Sequence, residues 1–120
     1  MSNSTPAPVK PFVPFSALEA LNIRVGTIER VEDIARSEKL LKLTANIGDH
    51  SRIILAGMKQ ERQIPREIEG KQALLVLNLE PKKMAGEISL GMLFDLGYAD
   101  GVLPALATPE RPVPNGTRAG

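Results

Sequence analysis

A strict two-residue alternation in residues 41–47 constrains the fold more than any other feature of the sequence. Its apolar members are Leu41, Leu43, Ala45 and Ile47, and its polar members are Lys42, Thr44 and Asn46. Because successive side chains of a strand point to opposite faces, this alternation predicts a β-strand that is buried on one face only. The Gly-Asp-His-Ser segment that follows is typical of a turn. A third strand at residues 52–56 therefore completes a predicted hairpin or meander.

Further short apolar segments lie between turn residues and extend this pattern. The expected strands are residues 23–31, with a bulge or sharp bend at Gly26, residues 71–79, residues 91–98 and a last short piece at residues 102–107. The apolar middle of the 71–79 segment is typical of a strand covered on both faces. One short helix is expected near Pro65. Five or six strands with a single helix between the third and fourth predict an all-β protein, a five-stranded OB-fold barrel with a C-terminal extension.

The N-terminal region differs from the rest in composition. Residues 1–14 carry prolines at positions 6, 8, 11 and 14, and prolines at this density block both helices and sheet ladders. We expect a flexible, proline-rich arm over residues 1–14 and one domain over residues 15–120. Ser16 and Glu19 have the spacing of a capping box, which predicts a short N-terminal helix that opens at Ser16 and ends near Asn22.

Composition excludes several classes of function. The chain has no cysteine and one histidine, His50, so a disulfide scaffold, a thiolate metal site, a cysteine nucleophile and a multi-histidine site are excluded. The carboxylate pairs stand apart from other catalytic residue types, and we predict neither catalysis nor a metal or other cofactor. The longest apolar run, residues 73–77, is far below the roughly 20 residues needed to span a bilayer. The first residues lack the apolar region of a signal peptide, which makes the cytoplasm the expected location.

Four motifs occur in order and together carry a family resemblance. They are Arg24-Val25-Gly26-Thr27-Ile28, Glu38-Lys39-Leu40, residues 78–86 (Asn-Leu-Glu-Pro-Lys-Lys-Met-Ala-Gly) and Ser89-Leu90-Gly91-Met92. Over about residues 15–119 the chain resembles the tRNA-binding domain of stand-alone structure-specific tRNA-binding proteins. The same domain is appended to the C-terminus of many bacterial methionyl-tRNA synthetases. The chain is also similar to the CsaA-type secretion chaperones, which share the fold.

The resemblance implies a tRNA-binding site. Its residues here are Lys39, Asn78, Lys82, Lys83, Ser89, Gly91 and Met92. Lysines can pair with phosphates and release counterions, whereas serine and asparagine can hydrogen-bond sugar, phosphate or base edges. From the residues alone the alternatives stay open: two solvated lysines, a turn serine, a turn-capping asparagine and a core methionine. The scarcity of aromatic residues disfavours generic single-strand binding and suits recognition of folded tRNA by shape and backbone.

The resemblance implies a non-catalytic tRNA-binding protein that acts in trans or as an accessory to an aminoacyl-tRNA synthetase. Some positions depart from the family pattern: Ile34-Ala35 replaces His-Pro, Glu38 replaces aspartate, Ala56-Gly57 replaces Ser-Gly and Glu80 replaces a basic residue. These departures leave open a CsaA-like chaperone that binds unfolded polypeptide through an apolar groove. A third alternative is a detached, non-catalytic subunit of a synthetase. The net charge of +1 is too small to decide between them.

A homodimer is also implied by the resemblance. The sequence also contains an apolar strip that is larger than one short helix needs to dock on its own barrel. Its members are Phe12, Phe15, Leu18 and Leu21. The apolar segment 102–106 lies beyond the expected barrel strands. Two such surfaces can cover each other across a two-fold axis, where the same patch serves both chains.

Overall fold

A computed structural model describes residues 5–120 of the 120-residue chain. Within them it places one short helix, α1 (Phe15–Glu19), and the strands β1 (Ile23–Asp33), β2 (Leu41–Asn46), β3 (Ser51–Ala56), β4 (Gln72–Val76), β5 (Lys82–Met84), β6 (Glu87–Ser89), β7 (Met92–Leu93), β8 (Asp95–Leu96) and β9 (Ala105–Leu106). Two 3-10 turns span Pro65–Ile68 and Tyr98–Asp100. The expected helix near Pro65 is thus a single 3-10 turn between β3 and β4.

Five of these strands form one curled antiparallel sheet in the order β3-β2-β1-β4-β7. Its two edges approach each other, since the Leu90 N–H donates to the Ile53 carbonyl oxygen at 2.9 Å. The result is a five-stranded half-barrel of the OB type, and the prediction of an all-β OB-fold is confirmed. The β8–β9 pair and the residues after it form the C-terminal extension.

The core lies inside this curled sheet. Ile28, Leu43, Ile54 and Leu75 are each at most 1% exposed. The alternation in residues 41–47 is confirmed, because its apolar members are buried while its polar members are half-buried. Complete burial of a side chain such as Leu43 contributes about 1.5–3 kcal/mol to stability.

Gly26 pairs in regular register with Ala73, so the bulge alternative predicted for it is wrong. The bulge in β1 lies between Ile28 and Arg30, where the register with β2 shifts. Gly26 is instead a point of close backbone approach. A Cβ atom there would lie 2.9 Å from the Asn46 carbonyl oxygen and 2.8 Å from Leu75 Cδ1, which explains the glycine.

The predicted capping box is also wrong. Helix α1 begins at Phe15 after Pro14, which has extended backbone angles and makes no side-chain capping bond. The Pro14 carbonyl oxygen accepts from the Ala17 N–H at 2.9 Å, so Ser16 already lies inside the helix. Residues 5–14 have no regular secondary structure, and the first four residues of the predicted arm lie outside the described residues.

Residues 82–89 form a hairpin that the sequence did not predict. Strands β5 and β6 pair through Met84 and Glu87, and the two residues between them, Ala85 (φ 50°) and Gly86 (φ 79°), both have positive φ. A two-residue turn with this backbone matches the right-handed twist of antiparallel strands. The expected strand at residues 91–98 is broken, because β7 pairs with β4 whereas β8 pairs with β9.

Candidate nucleic-acid interface

Two connections of the half-barrel meet on one side of the molecule. The first, residues 34–40, joins β1 to β2, and the second, residues 77–91, joins β4 to β7 and contains the β5–β6 hairpin. A Cβ atom on Gly86, at the tip of the hairpin, would lie 3.0 Å from Arg36 Nη1 of the first connection. In OB-type barrels these two connections are the ones that bind oligonucleotides.

Three exposed cations lie on the hairpin or beside its tip, Arg36, Lys82 and Lys83, and we call them the basic tip. Lys82 pairs across the hairpin with Ser89, and Lys83 pairs with Ile88. Because neighbouring residues of a strand face opposite ways, Lys83 shares the outer face with exposed Ile88, and Lys82 lies on the face of buried Ser89. The two lysines therefore present their charges in different directions.

An ion pair fixes the hairpin against the sheet. Lys42 Nζ on β2 lies 3.2 Å from Glu87 Oε1 on β6. Both side chains are roughly one-third exposed, so the pair contributes at most about 1 kcal/mol. Its main effect is to orient the hairpin.

Ser89 and Gly91 form the base of the hairpin. The Ser89 side chain is buried, and its Oγ accepts from the Leu55 N–H at 3.0 Å and donates to the Gly91 carbonyl oxygen at 3.1 Å. Gly91 has φ of 153°, and a Cβ atom there would lie 2.8 Å from the Val76 carbonyl oxygen. Both predicted site residues therefore hold the hairpin against the neighbouring strands β3 and β4.

Asn78 has a similar internal role. Its Oδ1 accepts from the Asn22 N–H at 2.7 Å, and its Nδ2 donates to the Ala20 carbonyl oxygen at 2.7 Å. These bonds join the end of β4 to the segment that follows helix α1. The Asn78 side chain therefore holds these two segments together. This role resembles the turn-capping alternative that the sequence left open.

Lys39 and Met92 line two adjoining clefts. The cleft beside Lys39 has a volume of about 420 Å³, and the cleft beside Met92 has a volume of about 220 Å³. Both are lined by Gly57, Glu61 and Tyr98. We call the two together the aromatic cleft. Met92 is 41% exposed, which favours a surface position over the core alternative.

Arg36 and Arg52 were not predicted as site residues. Arg52 Nη1 donates to the Leu77 carbonyl oxygen at 2.6 Å, and its Nε donates to His50 Nε2 at 3.0 Å. Arg52 therefore supports the strand end from which the 77–91 connection leaves. Sequence alone did not reveal either arginine, because Arg36 meets Gly86 and Arg52 meets the Leu77 carbonyl oxygen only in the folded chain.

A buried charged cluster lies beneath the aromatic cleft. Arg62, whose side chain is 10% exposed, places Nη2 3.4 Å from Asp95 Oδ1 and Nη1 3.7 Å from Glu61 Oε1. Burial, followed by the hydrogen bond and charge of Asp95, raises the pKa of Glu61 to about 7. The Glu61 carboxyl is therefore protonated at acidic pH.

Within residues 5–120, no three His, Asp or Glu side chains stand close enough together to hold a metal ion. Over the same residues, no helix is long and apolar enough to cross a membrane.

Comparison with known sequences supports the resemblance. A family model described as a putative tRNA binding domain matches residues 23–118. The chain is 40% identical over 108 residues to the methionine–tRNA ligase of Methanothrix thermoacetophila, and the aligned region covers 89% of this chain and 15% of the ligase. It is 39% identical over 94 residues to that of Chlorobium chlorochromatii, which covers 78% of this chain and 13% of the ligase. The chain thus spans only about a seventh of these ligases.

Solved structures show the same fold over most of this chain. A methionyl-tRNA synthetase related protein from Pyrococcus horikoshii aligns with a TM-score of 0.83 and 31% identity, covering 92% of this chain and 100% of that one. The chaperone CsaA from Bacillus anthracis aligns with a TM-score of 0.74 and 25% identity, covering 92% and 100%. Because the family model covers most of the chain and relatives reach 40% identity, the chain belongs to the putative tRNA-binding domain family.

Proposed function

We propose that this protein binds folded tRNA, catalyses no reaction on it, and uses the basic tip as its main contact. The observation that carries the proposal is the meeting of the 34–40 and 77–91 connections, with Arg36 against Gly86 and two exposed lysines on the hairpin. Cations on a projecting hairpin can reach the phosphate backbone, which supplies affinity independent of sequence. The net charge of +1 makes this local placement more important than the overall charge.

The proposed site residues divide by role. Lys82, Lys83 and Lys39 pair with phosphates, and Met92 offers an apolar contact to a base or sugar. Asn78, Ser89 and Gly91 position the loops through their internal contacts. This division predicts that replacing one of the lysines changes the salt dependence of tRNA binding, whereas replacing a residue of the second group changes stability first.

We also propose that two copies associate through helix α1. Phe12 is 99% exposed and Phe15 is 71% exposed, and Leu18 and Leu21 are each at least 40% exposed. The helix borders a cleft of about 670 Å³ formed with residues 117–120. A concentration of exposed apolar side chains is typical of a protein–protein interface. A second copy of the chain carries the same strip, so the two strips can cover each other. An aminoacyl-tRNA synthetase is the proposed additional partner, and the cytoplasm remains the location predicted from the sequence.

One observation favours the chaperone alternative. Apolar side chains lie exposed around the hairpin: Leu79, Ile88, Leu90 and Met92. A strip of this kind can hold an extended apolar segment of an unfolded polypeptide. Lys83 lies beside Ile88 in this strip, so we favour RNA.

A paired gel-shift titration tests the proposal. Total tRNA and a permanently unfolded polypeptide are each titrated at two salt concentrations. We expect saturable tRNA binding that weakens steeply with salt, because counterion release drives it. Binding of the polypeptide alone, little affected by salt, would contradict the proposal and support the chaperone.

A further inference from the structure

Tyr98 stands on the surface of the barrel with its ring largely in solvent. It opens the 3-10 turn Tyr98–Asp100, which is bounded by Gly97 (φ 100°) and Gly101 (φ 68°). Its side chain is 74% exposed. The turn is tight and has a glycine with left-handed backbone at each end, so the ring is presented from a short, constrained segment.

Tyr98 lines both parts of the aromatic cleft. Pro104 and Val102 line the larger part, and Met92 and Leu93 line the smaller part. Gly57 also lines both parts, and an added Cβ atom there would meet nothing within 4 Å. An apolar slot with one exposed aromatic ring is suited to a flat group that stacks on that ring.

The lining of the larger part carries one cation, Lys39, and one carboxyl group, Glu61. Lys39 lines the larger part, and its carbonyl oxygen accepts from the Lys59 N–H at 3.0 Å. Gln60 Nε2 donates to the Glu38 carbonyl oxygen at 2.9 Å, which joins the same two loops. An ammonium group beside an aromatic slot is complementary to a flat group that carries a phosphate.

The cleft is also continuous with the proposed RNA surface. The connection of residues 34–40 brings Arg36 to the tip of the hairpin and Lys39 to the cleft. An RNA strand that contacts the basic tip can therefore follow this connection to Tyr98. An apolar peptide side chain would use the slot but gain nothing from Lys39.

We propose that the aromatic cleft takes one unpaired nucleobase of the bound RNA, stacked on Tyr98, with its phosphate paired to Lys39. This inference rests on the proposed function and adds a base-binding subsite to it. Unpaired bases of folded RNA are commonly recognised by stacking on aromatic side chains. One ring at a defined place fits a single splayed base better than a long single strand, which needs a series of rings.

The chain itself supplies the probe for a direct test. Tyr98 is the one tyrosine, and there is no tryptophan, so intrinsic tyrosine fluorescence reports on this ring alone. The probes are a single-stranded RNA trinucleotide and a trimer of the same charge with abasic sugars. We expect saturable quenching by the trinucleotide and none by the abasic trimer. Equal quenching by both, or quenching by an unfolded polypeptide only, would overturn the inference.

Variants extend the test to tRNA. Tyr98→Ala should weaken tRNA binding about 5- to 150-fold, the range for loss of one stacked base, whereas Tyr98→Phe should retain binding. Gly57→Leu should fill the slot and weaken binding similarly, with thermal melting to verify folding. Leu103→Ala, at a side chain 89% exposed and outside the cleft, is the matched control.

The outcomes separate this inference from the proposed function. If wild-type protein binds tRNA and Tyr98→Ala binds equally well, the base-binding subsite is wrong and the proposed function stands. If wild-type protein binds no tRNA, both are wrong. Loss of binding in Tyr98→Ala with retention in Tyr98→Phe supports the subsite.

Discussion

The Ser89 hydroxyl accepts a hydrogen bond from the Leu55 backbone N–H at 3.0 Å and so joins the base of the β5–β6 hairpin to strand β3. Both residues are buried. The bond helps to close the half-barrel at the point where its two edge strands meet. It also determines where the exposed lysines of the hairpin stand relative to the rest of the surface.

Ser89→Ala should therefore lower stability. Removing Oγ leaves a buried N–H without its partner, which costs about 1–3 kcal/mol. Chemical denaturation measures the loss, and Ser51→Ala is the matched control, because Ser51 is exposed and its Oγ bonds only to Glu29. We expect weaker tRNA binding with an unchanged salt slope, because a neutral hydroxyl releases no counterion. Weaker binding at full stability would indicate direct contact with RNA instead.

The carboxyl pair beneath the aromatic cleft predicts a pH-dependent stability. The pKa of Glu61 is about 7 in the folded chain, against 4.5 for the ordinary group. Folding therefore favours the protonated form, and its contribution is fully present below pH 4.5 and is lost as pH rises through 7. The free energy of unfolding should fall across this window.

Glu61→Gln tests this pH dependence. The amide keeps the shape and cannot ionise, so the variant should melt higher than wild type at pH 8 and vary less between pH 5 and 8. Thermal melts over this range measure the effect, and Glu110→Gln, at an exposed carboxylate, is the control. Parallel curves for wild type and Glu61→Gln would show that Glu61 does not titrate here.

The proposed dimer predicts a mass of twice 13.0 kDa at micromolar concentration. Leu18→Glu combined with Leu21→Glu should reduce it to the single-chain value, since charges would then face each other in the apolar strip. Light scattering measures the mass, and Ile64→Glu, at an apolar residue that is 66% exposed and outside both apolar segments, should leave it unchanged. A wild-type mass near 13.0 kDa would contradict the dimer.

The barrel could be predicted from the sequence because the pattern that indicates each strand is local. The alternation from Leu41 to Ile47 specifies a half-buried strand without knowledge of its neighbours. The hairpin at residues 82–89 was missed because its strands are three residues long and its turn uses Ala85 with a positive φ, which is unusual for alanine.

The tRNA-binding site residues remain a prediction, and the structure gives two of them internal contacts that the sequence did not indicate. Ser89 and Asn78 read as polar surface residues in sequence, yet their partners, Leu55 and Asn22, are 34 and 56 residues away. Local reasoning has no access to such contacts. Arg36 was missed for the same reason, because only the folded chain brings it to Gly86.

Lys82 and Lys83 should differ in importance, because they face opposite sides of the hairpin. Lys83→Ala and Lys82→Ala are compared singly in tRNA titrations over a salt series. Replacing the lysine that contacts a phosphate should make the plot of log binding constant against log salt concentration less steep. The slope should decrease by about 0.9 for duplex-like geometry, or by about 0.7 for a single strand. Lys10→Ala, in the exposed N-terminal region, is the control.

The double variant Lys82→Ala/Lys83→Ala tests the central claim most directly. Its affinity for total tRNA is measured against salt concentration alongside wild type. The account predicts weaker binding at low salt and a slope smaller by roughly 0.7–0.9 for each lost phosphate contact. An unchanged affinity and slope in a variant that melts like wild type would mean that the hairpin does not contact tRNA.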